Sequence, residues 1–167
     1  MANNIKAHCF EPVYDQDSKI LILGTIPSVM SEKKGFYYSH PQNLFWKVLT
    51  EVLEERGIPV RIEDKKSMLI KYNIAIWDVL YSCEIKNSSD ASIKNPVTND
   101  FIPMLHSSRI SHIFTTGKTA SKLYEKLCYE KTGIKNIYLP STSPANRANF
   151  TYEQTVECYK VLRRYLL

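Results

Sequence analysis

The sequence predicts an α/β fold, in which a parallel sheet of four strands is covered by helices on both faces. Four short apolar segments are separated by longer segments with helical periodicity, and this alternation is typical of parallel sheets. The apolar segments are nearly uninterrupted, as expected for strands that are buried on both faces. At 167 residues the chain has the length of one domain with its own core. We therefore expect a single domain over residues 1–167, in which residues 1–18 form an irregular lead-in.

The first half of the chain is predicted to hold two strands and two helices. Lys19–Gly24 is an apolar run that ends at a glycine, which is typical of a strand. A helix follows the next loop, with Pro41 in its first turn and apolar residues at helical spacing from Leu44 to Leu53. Residues 61–72 are predicted to form a second helix, and Asn73–Val79 is predicted to form the second strand.

The second half continues the alternation after a polar loop in which Ser88, Ser89 and Asp90 are clustered. The predicted elements, in order, are a loop over Ser82–Pro96, a short helix over Thr98–Ser107 capped by Thr98 or Asn99, a strand over Arg109–Thr115, a helix over Thr119–Tyr129, a strand over Lys135–Leu139 and a closing helix over Thr151–Leu166.

The composition is that of a soluble globular protein, with 44% hydrophobic and 23% charged residues. No segment approaches the roughly 20 apolar residues that cross a membrane, and the N-terminus has no apolar signal segment. We therefore expect a cytoplasmic protein. Its cysteines, Cys9, Cys83, Cys128 and Cys158, are far apart in sequence, so free thiols are expected and a metal or iron–sulfur site is not.

Positive charge is concentrated in the last third of the chain. Nine of the 22 Lys and Arg residues follow Gly117, against four of the 17 acidic residues, and the net charge is +5. This distribution favours a surface that binds a polyanion such as DNA. A solvated, lysine-rich helix face would give the same pattern.

Several polar segments follow the predicted strands. In open parallel sheets, ligands bind beyond the carboxyl ends of the strands. This rule brings together Gly24–Ser28, Asp78, Thr115–Gly117 and Pro140–Arg147. The sequence has no P-loop lysine, dinucleotide glycine fingerprint or nucleophile elbow, so a site of another kind is expected at this edge.

Each candidate residue at this edge has a functional and a structural interpretation. The turn at Gly24–Ser28 could direct N–H groups at a carbonyl group or an anion, or it could simply connect two elements. Of the aromatic residues 36–38, one could present a face for stacking a base, or two could pack while the third covers the core. Asn43 and His40 could act on a ligand or hold the local turn, and Asp78 could serve the site or cap the next turn.

Five motifs in this order resemble the uracil-DNA glycosylase superfamily and, within it, the DNA-deoxyinosine (hypoxanthine-DNA) glycosylase branch. They are GTIPS, YYSHPQNLFW, WDVLYSCE with SSDASI, TTGKTA and LPSTSPANR, and the resemblance runs from about Lys19 to the C-terminus. It implies a three-layer α/β/α sandwich with a four-stranded, mostly parallel central sheet. It also implies monofunctional removal of a damaged base from DNA, with no metal or nucleotide cofactor.

The resemblance also assigns residues. Mismatch-specific uracil/thymine glycosylases carry a catalytic Asn in the first motif, where this chain has Ile26, and the deoxyinosine branch uses the amide that is Asn43 here. The implied base pocket contains Gly24, Thr25, Ile26, Pro27, Ser28, Tyr38, which stacks on the flipped base, and His40, with Asp78 as an auxiliary candidate. The implied DNA-binding residues are Lys118, Ser141 and the minor-groove loop formed by Ser143, Pro144, Ala145, Asn146 and Arg147.

The predicted function is hydrolysis of the N-glycosidic bond of deaminated bases in DNA, deoxyinosine first and uracil second. The base is flipped out of the helix, a water positioned by Asn43 attacks, and an abasic site remains. A mismatch-specific uracil/thymine DNA glycosylase and an inactive nucleic-acid binding module of the same fold stay open as alternatives. We expect a monomer that acts on DNA containing a deaminated base.

Overall fold

The computed structural model describes residues 4–8, 10–86 and 89–167. Cys9 and Ser88 lie outside the described residues. The strands are β1 (Asn4–Ala7), β2 (Ile20–Gly24), β3 (Ile74–Asp78), β4 (Leu80–Ile85), β5 (Lys94–Thr98), β6 (His112–Thr116) and β7 (Asn136–Leu139). The α-helices are α1 (Val29–Lys34), α2 (Phe45–Val52), α3 (Ile62–Lys71), α4 (Ile102–His106), α5 (Lys118–Leu127), α6 (Tyr129–Thr132), α7 (Tyr152–Tyr159) and α8 (Arg163–Leu166).

Four parallel strands form the centre of the fold, in the order β3-β2-β6-β7. The predicted four-stranded parallel sheet is therefore confirmed. The register places Leu21 of β2 between Ala75 of β3 and Ile113 of β6. Gly24 pairs with Asp78 at the carboxyl end of the sheet, so the loops that follow β2 and β3 begin side by side.

The sheet has a hydrophobic core on each face, because alternate residues of a strand point to opposite sides. Ile20 and Ile22 belong to one core, together with apolar residues of α2, α3 and α7. Leu21 and Leu23 belong to the other core, together with residues of α4 and α5. All four side chains are fully buried, which explains the uninterrupted apolar run in the sequence. The predicted three-layer α/β/α class is confirmed.

A second sheet, absent from the sequence-based prediction, covers part of one face. It is antiparallel, with the order β1-β4-β5. The irregular lead-in predicted for residues 1–18 is therefore wrong at Asn4–Ala7, and the loop predicted over Ser82–Pro96 is wrong at both of its ends. In β4, Leu80, Cys83 and Ile85 are buried, but β1 is largely exposed and β5 contains Pro96. Such edge segments carry little strand signal of their own, because pairing with a distant segment stabilises them.

The helix that follows the aromatic loop begins later than predicted. Pro41 lies in a turn, and α2 starts at Phe45 with Leu44 as its N-cap. Asn43 therefore precedes the helix instead of lying in its first turn. A helix that was not predicted, α1, follows the turn after β2, and the side chain of Ser28 caps it by accepting a hydrogen bond from the Ser31 N–H.

Two further helix boundaries differ from the prediction. Thr98 ends β5 and does not cap α4, whose N-cap is Phe101. The buried Asn99 amide instead donates hydrogen bonds to the carbonyls of Asp78 and Leu80. The closing segment predicted as one helix consists of α7, a 3-10 turn over Lys160–Leu162 and α8. Among the described residues, none of the helices combines the length and apolarity needed to cross a lipid bilayer.

The start of α7 gives a prediction about stability. Thr151 and Gln154 form a capping box, in which each side chain accepts a hydrogen bond from the other residue's backbone N–H. Thr151→Ala removes one of these acceptors and should lower the free energy of unfolding by about 1 kcal/mol. Thr151→Ser, which keeps the hydroxyl, should cost much less. Urea unfolding of both variants measures the difference, and equal stabilities would contradict the role of the cap.

Candidate active site

A cavity of about 620 Å³ opens at the carboxyl edge of the parallel sheet. Its wall includes every residue predicted for the base pocket. These residues are Gly24, Thr25, Ile26, Pro27, Ser28, Tyr38 and His40, joined by Asn43, Asp78, Ser141, Ser143, Pro144 and Ala145. The rule that ligands bind beyond the strand ends thus located the cavity.

Three residues predicted to bind DNA lie outside this wall. Lys118 and Asn146 line a neighbouring groove of about 260 Å³, which shares Thr116 and Ser141 with the cavity. Arg147 lies on a third, more open surface next to Leu44. Lys118 is exposed at the start of α5, and its ammonium group pairs with no carboxylate of the described residues, so it can meet an anion.

The floor of the cavity is closely packed around Gly24. A Cβ atom at this position would lie 2.6 Å from Asp78 Oδ1 and 3.0 Å from the hydroxyl of Tyr38. The Tyr38 hydroxyl lies 2.9 Å from Thr116 Oγ1, which in turn donates to the carbonyl of Leu23. Only glycine leaves room for both Asp78 and Tyr38 at this point of β2.

Tyr37 and Tyr38 both line the cavity, and Tyr38 is the more exposed of the two. Phe36 and Tyr37 are buried, whereas Tyr38 is half-buried and has a positive φ of 49°. Its ring stacks on Phe45, with the centroids 4.0 Å apart and an angle of 13° between the planes. Burial, and next the charge of Asp78, raise the pKa of the Tyr38 phenol well above its ordinary value. The hydroxyl therefore keeps its proton even in alkaline solution.

The turn from His40 to Asn43 is held by its own polar groups. The Asn43 N–H donates to the carbonyl of His40, and the Gln42 N–H donates to His40 Nδ1. Asn43 Oδ1 accepts a hydrogen bond from the Phe45 N–H at 2.9 Å. Both interpretations of Asn43 therefore have support, because the amide caps the chain locally and also lines the cavity. Its Nδ2 group makes no hydrogen bond to the described residues.

The loop after β7 is fastened to this turn. The Leu44 N–H donates to the carbonyl of Thr142 at 3.1 Å, and Arg147 donates to the carbonyl of Gln42 at 2.5 Å. Asn146 donates to the carbonyl of Ser141 within the loop. Arg147 thus links the loop after β7 to the turn that contains Asn43. The sequence predicted only a DNA-binding role for Arg147 and not this contact.

The backbone turn after β2 offers donors to a ligand. Pro27 has no N–H group, so the predicted turn can use only its other residues. The N–H groups of Ile26 and Ser28 donate no hydrogen bond to any other described residue, and both residues line the cavity. Backbone N–H groups in such a turn suit a carbonyl oxygen or an anion.

Sequence reasoning missed His8. Its Nε2 atom lies 2.7 Å from Asp78 Oδ2, and the two side chains are 2% and 6% exposed. Of the two interpretations of Asp78, capping the next turn is not seen, because its side chain pairs with His8 among the described residues. Nothing in the sequence indicates the pair, because His8 is 70 residues away from Asp78 in a segment predicted to be irregular.

Two other residues of the cavity wall were also missed. Lys6 of β1 lies 3.4 Å from Glu32 of α1, and its side chain is only 10% exposed. Thr142 is buried, and its hydroxyl has no hydrogen-bond partner among the described residues. A buried hydroxyl without a partner is unusual and costly. The described residues contain no cluster of His, Cys, Asp and Glu suited to a metal ion.

The chain matches the family model described as Uracil DNA glycosylase superfamily over residues 11–166. It is 30% identical to a Methanosarcina barkeri protein named hypoxanthine DNA glycosylase, over 86% of this chain and 90% of that protein. It is 33% identical to a protein of the same name from Methanosarcina acetivorans, over 83% of this chain and 87% of that protein.

A similar fold has been solved. A solution NMR structure of a candidate uracil DNA glycosylase from Methanosarcina acetivorans has a TM-score of 0.79 and 29% sequence identity to this chain. The similarity covers 96% of this chain and 99% of that one.

The close contact at Gly24 gives a prediction about packing. Gly24→Ala forces Asp78 or Tyr38 to move, and overpacking of this kind should lower the free energy of unfolding by roughly 1–3 kcal/mol. Gly57→Ala is the matched control, because no atom lies within 4 Å of the added Cβ there, and it should be neutral or slightly stabilising. Chemical unfolding compares the two variants, and equal stabilities would contradict the packing inferred at Gly24.

Proposed function

The chain belongs to the uracil DNA glycosylase superfamily, and on this premise we propose that it is a DNA glycosylase that removes hypoxanthine from deoxyinosine in DNA. The observation that carries the proposal is the position of Asn43, which lies in the wall of the cavity that Tyr38 also lines. The two Methanosarcina relatives named hypoxanthine DNA glycosylase support the choice of base.

The reacting base enters the cavity by leaving the DNA stack. Flipping costs a few kcal/mol and costs least at a mispair, so a deaminated base is favoured over a paired normal base. Tyr38 supplies an aromatic face at the cavity wall on which a base can stack. Phe45 stacks on the Tyr38 ring and holds it in place.

The bond between C1′ and the base nitrogen then breaks, and its electron pair leaves with the base. Water supplies the hydroxyl group that bonds to C1′ and the proton that balances the departing base. Asn43 has no useful pKa and cannot act as an ordinary general base. Among the described residues, its Oδ1 atom accepts only the Phe45 N–H, so a second lone pair can orient the water. Asn43 thus acts by position and electrostatics.

The turn after β2 stabilises the leaving group. As the bond breaks, negative charge spreads to the carbonyl oxygen of the base, and the N–H groups of Ile26 and Ser28 donate to that oxygen. Adenine and cytosine carry an amino group where hypoxanthine and uracil carry this carbonyl. An amino group would leave the donors of the pocket unpaired, which is the strong form of discrimination.

Uracil is the second candidate substrate, because it also carries a carbonyl beside a ring N–H and because the similar solved structure is a candidate uracil DNA glycosylase. Single-turnover excision on duplexes containing deoxyinosine, uracil, xanthine or thymine separates the candidates. Excision of uracil or thymine with no excision of hypoxanthine would favour a mismatch-specific enzyme. Salt-sensitive binding with no excision of any base would favour a binding module.

Removal of the Asn43 amide should abolish most of the chemistry. We expect Asn43→Ala to lower the single-turnover rate of hypoxanthine excision by roughly 100-fold or more, the effect of losing one well-placed polar group in an active site. Gln16→Ala removes an exposed amide away from the cavity and should leave the rate unchanged. Denaturing gels of alkali-treated product measure both, and a near wild-type rate for Asn43→Ala would refute the assignment.

Lys118 and Arg147 should behave differently, although both are basic residues near the cavity. Lys118→Ala should weaken DNA binding and lower the salt slope of affinity by about 1, because an exposed ammonium group releases a counterion on binding. Arg147→Ala should mainly lower the single-turnover rate at saturating enzyme, because its guanidinium holds the Gln42 carbonyl next to Asn43. Binding titrations at several salt concentrations and saturated excision rates distinguish the two. Identical behaviour would contradict the role inferred for Arg147.

A further inference from the structure

His8 and Asp78 form a buried pair that the proposed mechanism does not use. Their side chains are almost fully enclosed, and Asp78 lines the cavity in which the base would bind. His8 is surrounded by the rings of Phe10, Tyr37 and Trp77. It precedes the segment matched by the family model, which begins at residue 11. The pair therefore joins the N-terminal segment to the carboxyl end of β3.

The hydrogen bonds of His8 define its tautomer. The backbone N–H of Phe10 donates to His8 Nδ1 at 3.2 Å, and a backbone N–H can only donate. Nδ1 must therefore carry a lone pair, so the proton of the ring is on Nε2. Nε2 then donates to Asp78 Oδ2. His8 is a neutral ring with a fixed direction, and its Asp78 partner is held as an acceptor.

One oxygen of Asp78 remains available. Oδ2 is occupied by His8, while Oδ1 makes no hydrogen bond to the described residues and lies against Gly24 in the cavity wall. A carboxylate can only accept hydrogen bonds. The side chain thus presents a single acceptor, which cannot be exchanged for a donor as long as His8 keeps its tautomer.

We propose that Asp78 Oδ1 accepts the ring N–H that lies beside the carbonyl of the flipped base, and that His8 is the positioning residue that fixes this polarity. The inference rests on the proposed glycosylase function and deepens it. The N–H groups of Ile26 and Ser28 select a base that carries a carbonyl group, and Asp78 selects a base that carries the adjacent N–H. Deamination of adenine or cytosine creates both groups together, whereas adenine and cytosine themselves have an unprotonated ring nitrogen that Asp78 would repel.

Asp78→Asn reverses the polarity in a way that the structure specifies. Because His8 Nε2–H requires an oxygen opposite it, the new amide must turn its NH2 group to the cavity, where it opposes the ring N–H. We expect hypoxanthine excision to fall at least 100-fold under single-turnover conditions. Asp64→Asn is the matched control, because Asp64 is an exposed carboxylate paired with Arg61, and it should retain the wild-type rate.

The double variant His8→Phe/Asp78→Asn tests His8 itself. His8→Phe keeps an aromatic ring among its neighbours but removes the Nε2–H donor. Without that donor, the amide introduced by Asp78→Asn can rotate and present its oxygen to the base. We expect the double variant to recover at least tenfold over Asp78→Asn alone. A merely structural role of His8 would make the second substitution additive, so activity would fall further.

Folding is measured separately by circular dichroism, and His8→Gln provides a second variant. Its amide can still donate to Asp78, so it should stay within about tenfold of wild type. The inference is overturned if Asp78→Asn excises hypoxanthine at a single-turnover rate within threefold of the wild-type rate. It is also overturned if the folded double variant excises hypoxanthine no faster than Asp78→Asn.

The assays use duplexes containing deoxyinosine or uracil, since both bases carry an N–H beside a carbonyl. If wild type cuts only uracil, the hypoxanthine proposal fails and the same variants are compared on uracil. If wild type cuts neither base, the proposed function fails, and the preference for deoxyinosine over deoxyadenosine in equilibrium binding is measured instead. Loss of that preference in Asp78→Asn then supports the role of Asp78, and an unchanged preference overturns it.

Discussion

The parallel pairing of β2 with β3 on one side and with β6 on the other determines where the candidate active site lies. Parallel pairing places the carboxyl ends of these strands at one edge, so the loops that follow them meet around the same cavity. The core on each face then fixes the sheet against its helices. Gly24 lies at the centre of this edge and leaves space for side chains from the neighbouring strand and from the aromatic loop.

The polar groups of the cavity are positioned by partners that are distant in sequence. Tyr38 reaches Thr116, Leu44 reaches Thr142, and Asp78 reaches His8. Taking a carboxylate out of water is costly unless hydrogen bonds compensate, so the contact with His8 is needed for Asp78 to be buried as an acceptor. These hydrogen bonds fix the directions of the polar groups before any ligand binds. Such preorganisation is required for the electrostatic stabilisation of a leaving group.

The sequence predicted the elements that carry their own signal and missed those that depend on pairing. Lys19–Gly24 and Asn73–Val79 consist mainly of apolar residues because both of their faces are covered. The central sheet, and the alternation of its strands with helices, could therefore be predicted. β1 and β5 are edge strands with exposed or proline-containing sequences, and only their contact with β4 makes them strands. Among the site residues, the motifs pointed to Asn43 and Tyr38. His8 lacked any motif, and only the folded chain brings it to Asp78.

The segment Ser141–Ala145 forms part of the cavity wall together with Asn43, and it is synthesised after the other residues of that wall. The wall also contains Lys6 and Asp78, and His8 holds the Asp78 carboxylate; these residues all precede the loop in the chain. During translation, a nascent chain therefore contains the residues of the aromatic loop and of the His8–Asp78 pair before it contains Ser141–Ala145. Truncation before Pro140 removes the part of the cavity wall formed by Ser141–Ala145. Splitting the chain between His8 and Ser141 separates residues that together form or support this wall. A fragment that lacks either end of the segment from Lys6 to Ala145 consequently lacks part of the cavity wall.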